Sequence, residues 1–283
     1  MNSHQSKCAI IIITRNSQKF LYKAIAAVEM QTVQPKQIII VDTGSEDLSY
    51  LTPYREKNSV TVVIGEKDMG FCRGNNLGYK YVSPDIDYVL LLNPDAFLFE
   101  NFLEKAGEYM EQPENRSCAI LTGKVFSYNI DRDTPTGLYD TTGIFQTGYG
   151  RWFDRGQGVA VAENLYTQIE SVPAICGALM FCRKTDLDEV LIRKEEIFDS
   201  SFFMYKEDID LSIRMRQKGK HLTYHPDLKA YHCRGWNPDR KQMPKKLRAC
   251  SARNELKIHW RLRSPIKSAY SALKYAAVVL FNR

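Results

Sequence analysis

The sequence predicts an α/β protein with a mostly parallel central sheet flanked by helices, on three observations. Short apolar runs bounded by turn residues alternate with helix-like stretches through the first half of the chain. Two runs, Cys8 to Thr14 and Tyr88 to Leu92, are apolar throughout, as strands buried on both faces are. Polar residues stand where the runs end: Thr14 and Arg15, then Asp42, then Asn93 and Asp95. Open parallel sheets bind ligands beyond the carboxyl ends of their strands. Turn formation explains any one of these residues, but all three groups together point to a shared site.

Taken in order, Cys8 to Thr14 is the first strand, and Ser17 is placed to cap the helix after it. In that helix Leu21, Ala24, Ile25 and Val28 form one apolar stripe. Gln37 to Val41 is a second strand closing on Asp42 and the Gly44-Ser45 turn, and Val60 to Ile64 is a third. Gly70 to Gly78 opens a helix, and Tyr88 to Leu92 is the fourth strand. A helix carrying Phe102, Leu103, Ala106 and Met110 follows, then a strand through Ala119 to Thr122. Beyond Asp131 glycines crowd the sequence, which predicts short hairpins or a loop. Val172 to Cys182 returns to the core. Glu207 to Gln217 is helical and ends at Gly219, and His221 to Tyr224 is a last short strand before Pro226.

Composition sets the class. At 283 residues with 44% hydrophobic and 25% charged side chains, the chain has the make-up of a folded protein. The residues before the first strand hold neither a long apolar core nor a small-residue cleavage site, so the expected location is the cytoplasm. Seven singly scattered cysteines without zinc spacing predict reduced thiols. The net charge of +6 is uneven: from Arg240 onward twelve Lys or Arg face one acid, Glu255, while 27 bases and 32 acids precede them. The division expected is a catalytic domain over residues 1–238 and a basic, partly amphipathic helical tail over 239–283. Ala269 to Phe281 is apolar except for Lys274 and shorter than the roughly 20 residues a spanning helix needs. Such a tail suits peripheral attachment to an anionic membrane surface, with a docked terminal helix or a homodimer contact as the competing reading. Nucleic acid is disfavoured as a partner because no recognition module accompanies the charge.

Several constellations carry chemistry. The run Gly70 to Gly78 has the wrong spacing for a dinucleotide fingerprint, and its small residues predict close approach of backbone to a nucleotide, with Arg73 and Asn76 hydrogen-bonding. In Asn93-Pro94-Asp95 the proline fixes a turn that throws Asp95 beyond the sheet, where a carboxylate can hold a hard cation bridging phosphate oxygens. In Phe202-Phe203-Met204-Tyr205-Lys206-Glu207-Asp208-Ile209-Asp210-Leu211, the helix dipole and pairing with Arg214 explain Asp210. They explain adjacent Glu207 and Asp208 less well. A carboxylate set against aromatics can have its pKa raised and serve as a general base. His232 would suit manganese as a partner to Asp95.

Taken together these residues resemble glycosyltransferase family 2, the inverting enzymes of the GT-A fold, over about Ala9 to Gly235. The resemblance rests on Asp42 with Gly44-Ser45, Gly70 to Gly78, Asn93-Pro94-Asp95, Cys176-Gly177-Ala178, Glu207 to Leu211, and Pro226 through His232. It implies a nucleotide-diphosphate sugar donor whose base is read by Asp42, with Asn76 in the same pocket. Thr14, Arg15, Arg73 and Asn93 join them as donor-binding candidates, Gly177 and Ala178 line the sugar, and Arg253 with Asn254 reaches the diphosphate. Asp95 matches the last acid of the family's D-x-D motif, with Asn93 in place of the first. His232 matches the distal ligand of Mn2+ or Mg2+, and Asp208, beside Glu207, matches the catalytic base. The segment Asp140 to Gly158, with Thr142-Gly143 and Asp154-Arg155-Gly156, resembles the bacterial rhamnosyltransferase-like subset. That implies dTDP-rhamnose as donor and a glycan or polyprenyl-diphosphate-linked acceptor in surface polysaccharide synthesis. A catalytically inactive GT-A-like scaffold is the alternative, and a binder has no need of Asp95, Glu207, Asp208 and His232 together.

Overall fold

The computed structural model describes residues 6–234 and 243–281. Pro238, read as the start of the basic tail, and the first basic residues of that tail, Arg240 and Lys241, lie outside them. The chain opens with β1 (Ser6–Thr14), α1 (Gln18–Glu29), β2 (Pro35–Asp42), α2 (Thr52–Arg55), β3 (Val60–Ile64), α3 (Gly70–Tyr79) and β4 (Tyr88–Leu92). β1 lies between β2 and β4 and is parallel to both, and β3 extends the sheet parallel to β2. Period-two alternation explains the unbroken apolar run of β1. Ile10 and Ile12 face Leu21, Ile25 and Val28 of α1, whereas Ile11 and Ile13 face the layer that holds Cys72 and Tyr79 of α3. Ser17 stands at the start of α1, yet its hydroxyl turns back to the backbone of Arg15 and caps no helical N–H.

The second half of the sheet is mixed. It comprises β5 (Ala96–Leu98), α4 (Phe102–Glu111), β6 (Cys118–Asn129) and β7 (Thr134–Thr141). The hairpin β8 (Ile144–Gln146) and β9 (Trp152–Asp154) follows, then β10 (Glu170–Ser171), β11 (Leu179–Arg183), α5 (Lys184–Glu189), α6 (Glu207–Gln217) and β12 (His221–His232). β11 runs antiparallel between β4 and β6, and β12 runs parallel to β6 and antiparallel to β5 and β10. β12 does not stop at Tyr224 as expected. Between His225 and Lys229 four residues advance against one on β6, and this bulge absorbs Pro226, whose missing N–H would break a regular ladder. Beyond it the strand continues to His232, which pairs with Ala96 next to Asp95.

The tail residues form α7 (Lys245–Arg261) and α8 (Pro265–Phe281), which pack on each other and on the body. His259 Nδ1 lies 2.6 Å from Ser271 Oγ, and the fully buried Glu255 pairs with Lys274. Arg261 pairs with both Asp199 and Asp210. No helix of the described residues is long and apolar enough to cross a membrane. All seven cysteines are free thiols.

Candidate active site

A cleft of about 750 Å³ opens where β4 ends. Its floor is the Asn93–Asp95 turn and residues 176–178. One wall is the start of α6, with Glu207 and Asp208, and the others come from the β8–β9 hairpin and from α7 and α8. Hydrogen bonds join floor to wall, because Asn93 N–H donates to Ala178 O (3.0 Å) while Gly177 N–H donates to Asp208 Oδ2 (3.0 Å). The sequence candidates Asn93, Asp95, Gly177, Ala178, Glu207, Asp208 and His232 thus share one cavity.

The acidic wall is set by a strained turn. Phe203, Tyr205 and Lys206 adopt φ of +64°, +68° and +72°, a region that side-chain-bearing residues rarely occupy without support. The support is Asn254 of α7, whose Nδ2 lies 2.9–3.0 Å from the carbonyl oxygens of Phe202, Met204 and Tyr205. The turn delivers Asp208 with Oδ2 on the Gly177 amide and Oδ1 on its neighbour Ile209's amide (2.8 Å). Burial pushes the Asp208 carboxyl above the usual range, against these two amides. Glu207 is raised too, by burial first and then by the charge of Asp208, and its Oε2 is buried without a hydrogen-bond partner.

At the other end of the floor, His232 Nε2 lies 3.2 Å from Asp95 Oδ1, and His232 Nδ1 lies 2.9 Å from Asp140 Oδ2. Burial alone would lower the His232 pKa, but the flanking carboxylates of Asp95 and Asp140 outweigh it and push it up to about 10. Both carboxyls are in turn held below their usual range, against burial, by His232. These residues fit a divalent cation. Two ligands at about 2.1 Å in neighbouring octahedral positions lie about 3 Å apart, close to the Asp95–His232 separation. Asn93 Oδ1, beside them, is a buried oxygen with no partner. Among the described residues no set of three or more His, Cys, Asp or Glu could hold a cation alone.

The remaining candidates are placed differently. Thr14 and Asp42 sit level with one another at the ends of β1 and β2, as expected. Asp42 is fully buried, however, and its carboxylate already accepts from the amides of Gly44 and Ser45 (both 2.9 Å) and from Tyr50 Oη (3.0 Å). It shapes this turn and lines no part of the cleft. Thr14 Oγ1 is likewise engaged by Tyr50 (3.0 Å), and Arg15 is exposed and paired with Asp68 (2.5 Å). Asn76 corrects the expectation of a nucleotide contact: it is buried, donating to Phe198 O (2.8 Å) and accepting from Phe198 N–H (3.0 Å). The glycines of its run serve packing, since a Cβ on Gly78 would lie 2.7 Å from Ile11 Cγ2 and one on Gly74 2.9 Å from Ile13 Cγ2. Arg73 is exposed on α3 and Arg253 faces an outer groove of α7; neither lines the cleft. Asn254 braces the strained turn from behind and does not itself line the cavity.

Sequence reasoning missed Arg248, Tyr270 and Lys274, which line the cleft from α7 and α8, and Arg234, two residues beyond His232. No periodicity marks any of them: β12 ends at His232, and Arg234, with φ of +33°, lies beyond the strand. Arg155, noted within the turn-rich segment, packs over the rings of Phe145 and Tyr166 (4.6 and 4.7 Å) and pairs with Glu170, anchoring the hairpin.

The model of the family described as glycosyl transferase family 2 matches residues 9–191. The chain is 29% identical over 236 residues to the rhamnosyltransferase WbbL of Escherichia coli K12, covering 79% of this chain and 82% of that one. Two solved structures share the fold. GalNAc-T7 with UDP, GalNAc and Mn2+ has a TM-score of 0.67 at 13% identity, over 94% of this chain and 50% of that one. The mannosyltransferase PcManGT of Pyrobaculum calidifontis, in complex with GDP-Man and Mn2+, has a TM-score of 0.59 at 15% identity, over 99% and 72%.

Proposed function

Because the chain belongs to glycosyl transferase family 2, we propose that it transfers a sugar with inversion from a nucleoside diphosphate to a hydroxyl of a glycan or lipid-linked acceptor. The observation that carries this reading is the cleft itself, with the raised carboxyl of Asp208 on one wall and the Asp95–His232 pair on the floor, linked through Gly177 and Ala178. Asp208 accepts the acceptor's hydroxyl proton as that oxygen forms its bond to the anomeric carbon. The bond from that carbon to the phosphate oxygen breaks, and its electron pair leaves on the nucleoside diphosphate. Asp95, His232 and Asn93 would hold Mn2+ or Mg2+, which supplies Lewis-acid stabilisation of charge on the diphosphate. Asp208 is the base and Glu207 its partner: burial and mutual repulsion favour a shared proton at this wall, so the pair titrates as a unit.

The relative's name supports rhamnose as the sugar, and the resemblance of the segment 140–158 to the rhamnosyltransferase-like subset supports dTDP-rhamnose as its donor. Work at the cytoplasmic membrane face is supported by α8. Its Ile266, Leu273 and Leu280, spaced by seven, are 76%, 73% and 70% exposed, and basic Arg263 and Lys267 lie close in sequence. The deciding experiment is a calorimetric screen of nucleotide sugars with Mn2+ or Mg2+, followed by transfer assays with the hits. Cation-dependent binding of dTDP-rhamnose and transfer with inversion are expected. Binding of no nucleotide sugar would overturn the reading.

A further inference from the structure

From the floor of the cleft runs a chain of charged groups of which the transfer step uses only His232. His232 is buried, with Nε2 toward Asp95 and Nδ1 2.9 Å from Asp140 Oδ2. The other oxygen of Asp140 lies 2.5 Å from Arg234 Nε, and Arg234 Nη1 lies 2.9 Å from Asp154 Oδ2. The Asp140 side chain is only 3% exposed, so both of its oxygens are satisfied by these two partners and by little solvent. It arrives from β7, at the start of the segment 140–158, while Asp154 belongs to the β8–β9 hairpin that forms a wall of the cleft.

Imidazole has two nitrogens, and the partner of one decides the state of the other. A carboxylate facing Nδ1 keeps a proton there, so when a cation displaces the proton of Nε2 the lone pair that it meets lies on the side of Asp95. Without that acceptor the ring can rotate or take the other tautomer, and its value as a ligand falls. Outer carboxylates of this kind commonly contribute 10–100-fold to metal affinity.

Resting on the cation reading above, we propose that Asp140 is a positioning residue for the cation held by Asp95 and His232. It fixes the His232 proton on Nδ1, and Arg234 clamps Asp140 in place while tying it to the hairpin wall through Asp154. Asp140 touches neither substrate nor cation. Its substitution acts only through the geometry and tautomer of His232.

The test titrates the full chain with Mn2+ alone, followed by the relaxation of water protons, which reads weak and tight binding alike. Wild type is compared with Asp95→Ala, Asp140→Ala and Asp140→Asn. Asp140→Ala should weaken Mn2+ binding about 10–100-fold. Asp140→Asn, which keeps an acceptor oxygen but can flip its amide, should fall between it and wild type. In parallel, ¹⁵N spectra of the histidine rings should show His232 protonated at Nδ1 in the Mg2+-loaded wild type and mixed between tautomers in Asp140→Asn, a readout that general loosening would not give. If Asp140→Ala fails to fold, the asparagine variant decides. Wild-type Mn2+ affinity and an unmixed tautomer in the Asp140 variants, with binding lost in Asp95→Ala, overturn the role of Asp140 and leave the cation reading standing. Equal binding by wild type and Asp95→Ala overturns both.

Discussion

Asp208→Asn separates chemistry from binding most cleanly. The carboxylate accepts two backbone N–H groups, from Gly177 at 3.0 Å and from Ile209 at 2.8 Å. An amide is isosteric and can still accept one of them, so the variant loses the base with little disturbance of the wall. Alanine, by contrast, would leave both amides without acceptors, at about 1–3 kcal/mol each if they stay dry. Removing a general base costs on the order of 10²–10⁴ in rate, or about 3–5 kcal/mol of transition-state stabilisation. The expected result is kcat down by that factor, with nucleoside diphosphate affinity by calorimetry within about twofold of wild type. The pH profile adds a second check. Burial raises the Asp208 carboxyl, so the ionised form that accepts the proton is lost on acidification at a higher pH than for an ordinary carboxylate near 4. Wild-type kcat/KM should therefore fall on acidification well before pH 4, and the residual rate of Asp208→Asn should not follow that limb. A variant turning over at the wild-type rate would remove Asp208 from the mechanism.

Three further outcomes are expected. EDTA should abolish transfer and Mn2+ or Mg2+ restore it, while Asp95→Ala should respond to neither; full activity in chelator would refute the cation site. Asp42→Ala should lower stability by about 1–3 kcal/mol, since the Gly44 and Ser45 amides lose their acceptor; an unchanged denaturation midpoint would show that the carboxylate does not hold the turn. In liposome flotation the full chain should bind vesicles containing anionic lipid, less at high salt, and the double variant Leu273→Glu/Leu280→Glu should not. Both positions are exposed, so the fold is spared, and equal flotation of the two proteins would end the membrane role.

The parts of the fold legible in the sequence are those governed by periodicity. The stripe Leu21, Ala24, Ile25 and Val28 is the buried face of α1, and the apolar runs of β1 and β4 are central strands. That Asp95 and Asp208 stand at the cleft was legible too, because a proline-fixed turn and an acidic helix start each leave a local trace. What sequence position does not reveal is how a polar group is spent. Asp42 and Asn76 stand where a ligand-binding residue should, yet tertiary contacts with Gly44, Ser45 and Phe198 consume their hydrogen-bonding groups. Part of the basic tail is spent in the same way. Lys257 and Arg261 pair with Asp199, Arg261 also with Asp210, and Lys274 with buried Glu255, so part of the charge excess docks the helices on the body.

That docking changes what α8 can do. Tyr270, Lys274 and Val278 recur every four residues and line the cleft, whereas Ile266, Leu273 and Leu280 recur every seven and face outward. At 3.6 residues per turn the centres of these two stripes are about 100° apart around the helix. They are adjacent faces, not opposite ones. A bilayer meeting the outward stripe would therefore lie beside the mouth of the cleft, and an acceptor rooted in that bilayer would approach Asp208 along α8 without leaving the surface. The same helix cannot be freed from the body to reach lipid without opening the cleft wall, because Lys274 both lines the cavity and pairs with Glu255 of α7. Membrane docking on this geometry would be a rigid seating of the whole body, in which the helix offered to lipid is also the one that lines the cleft.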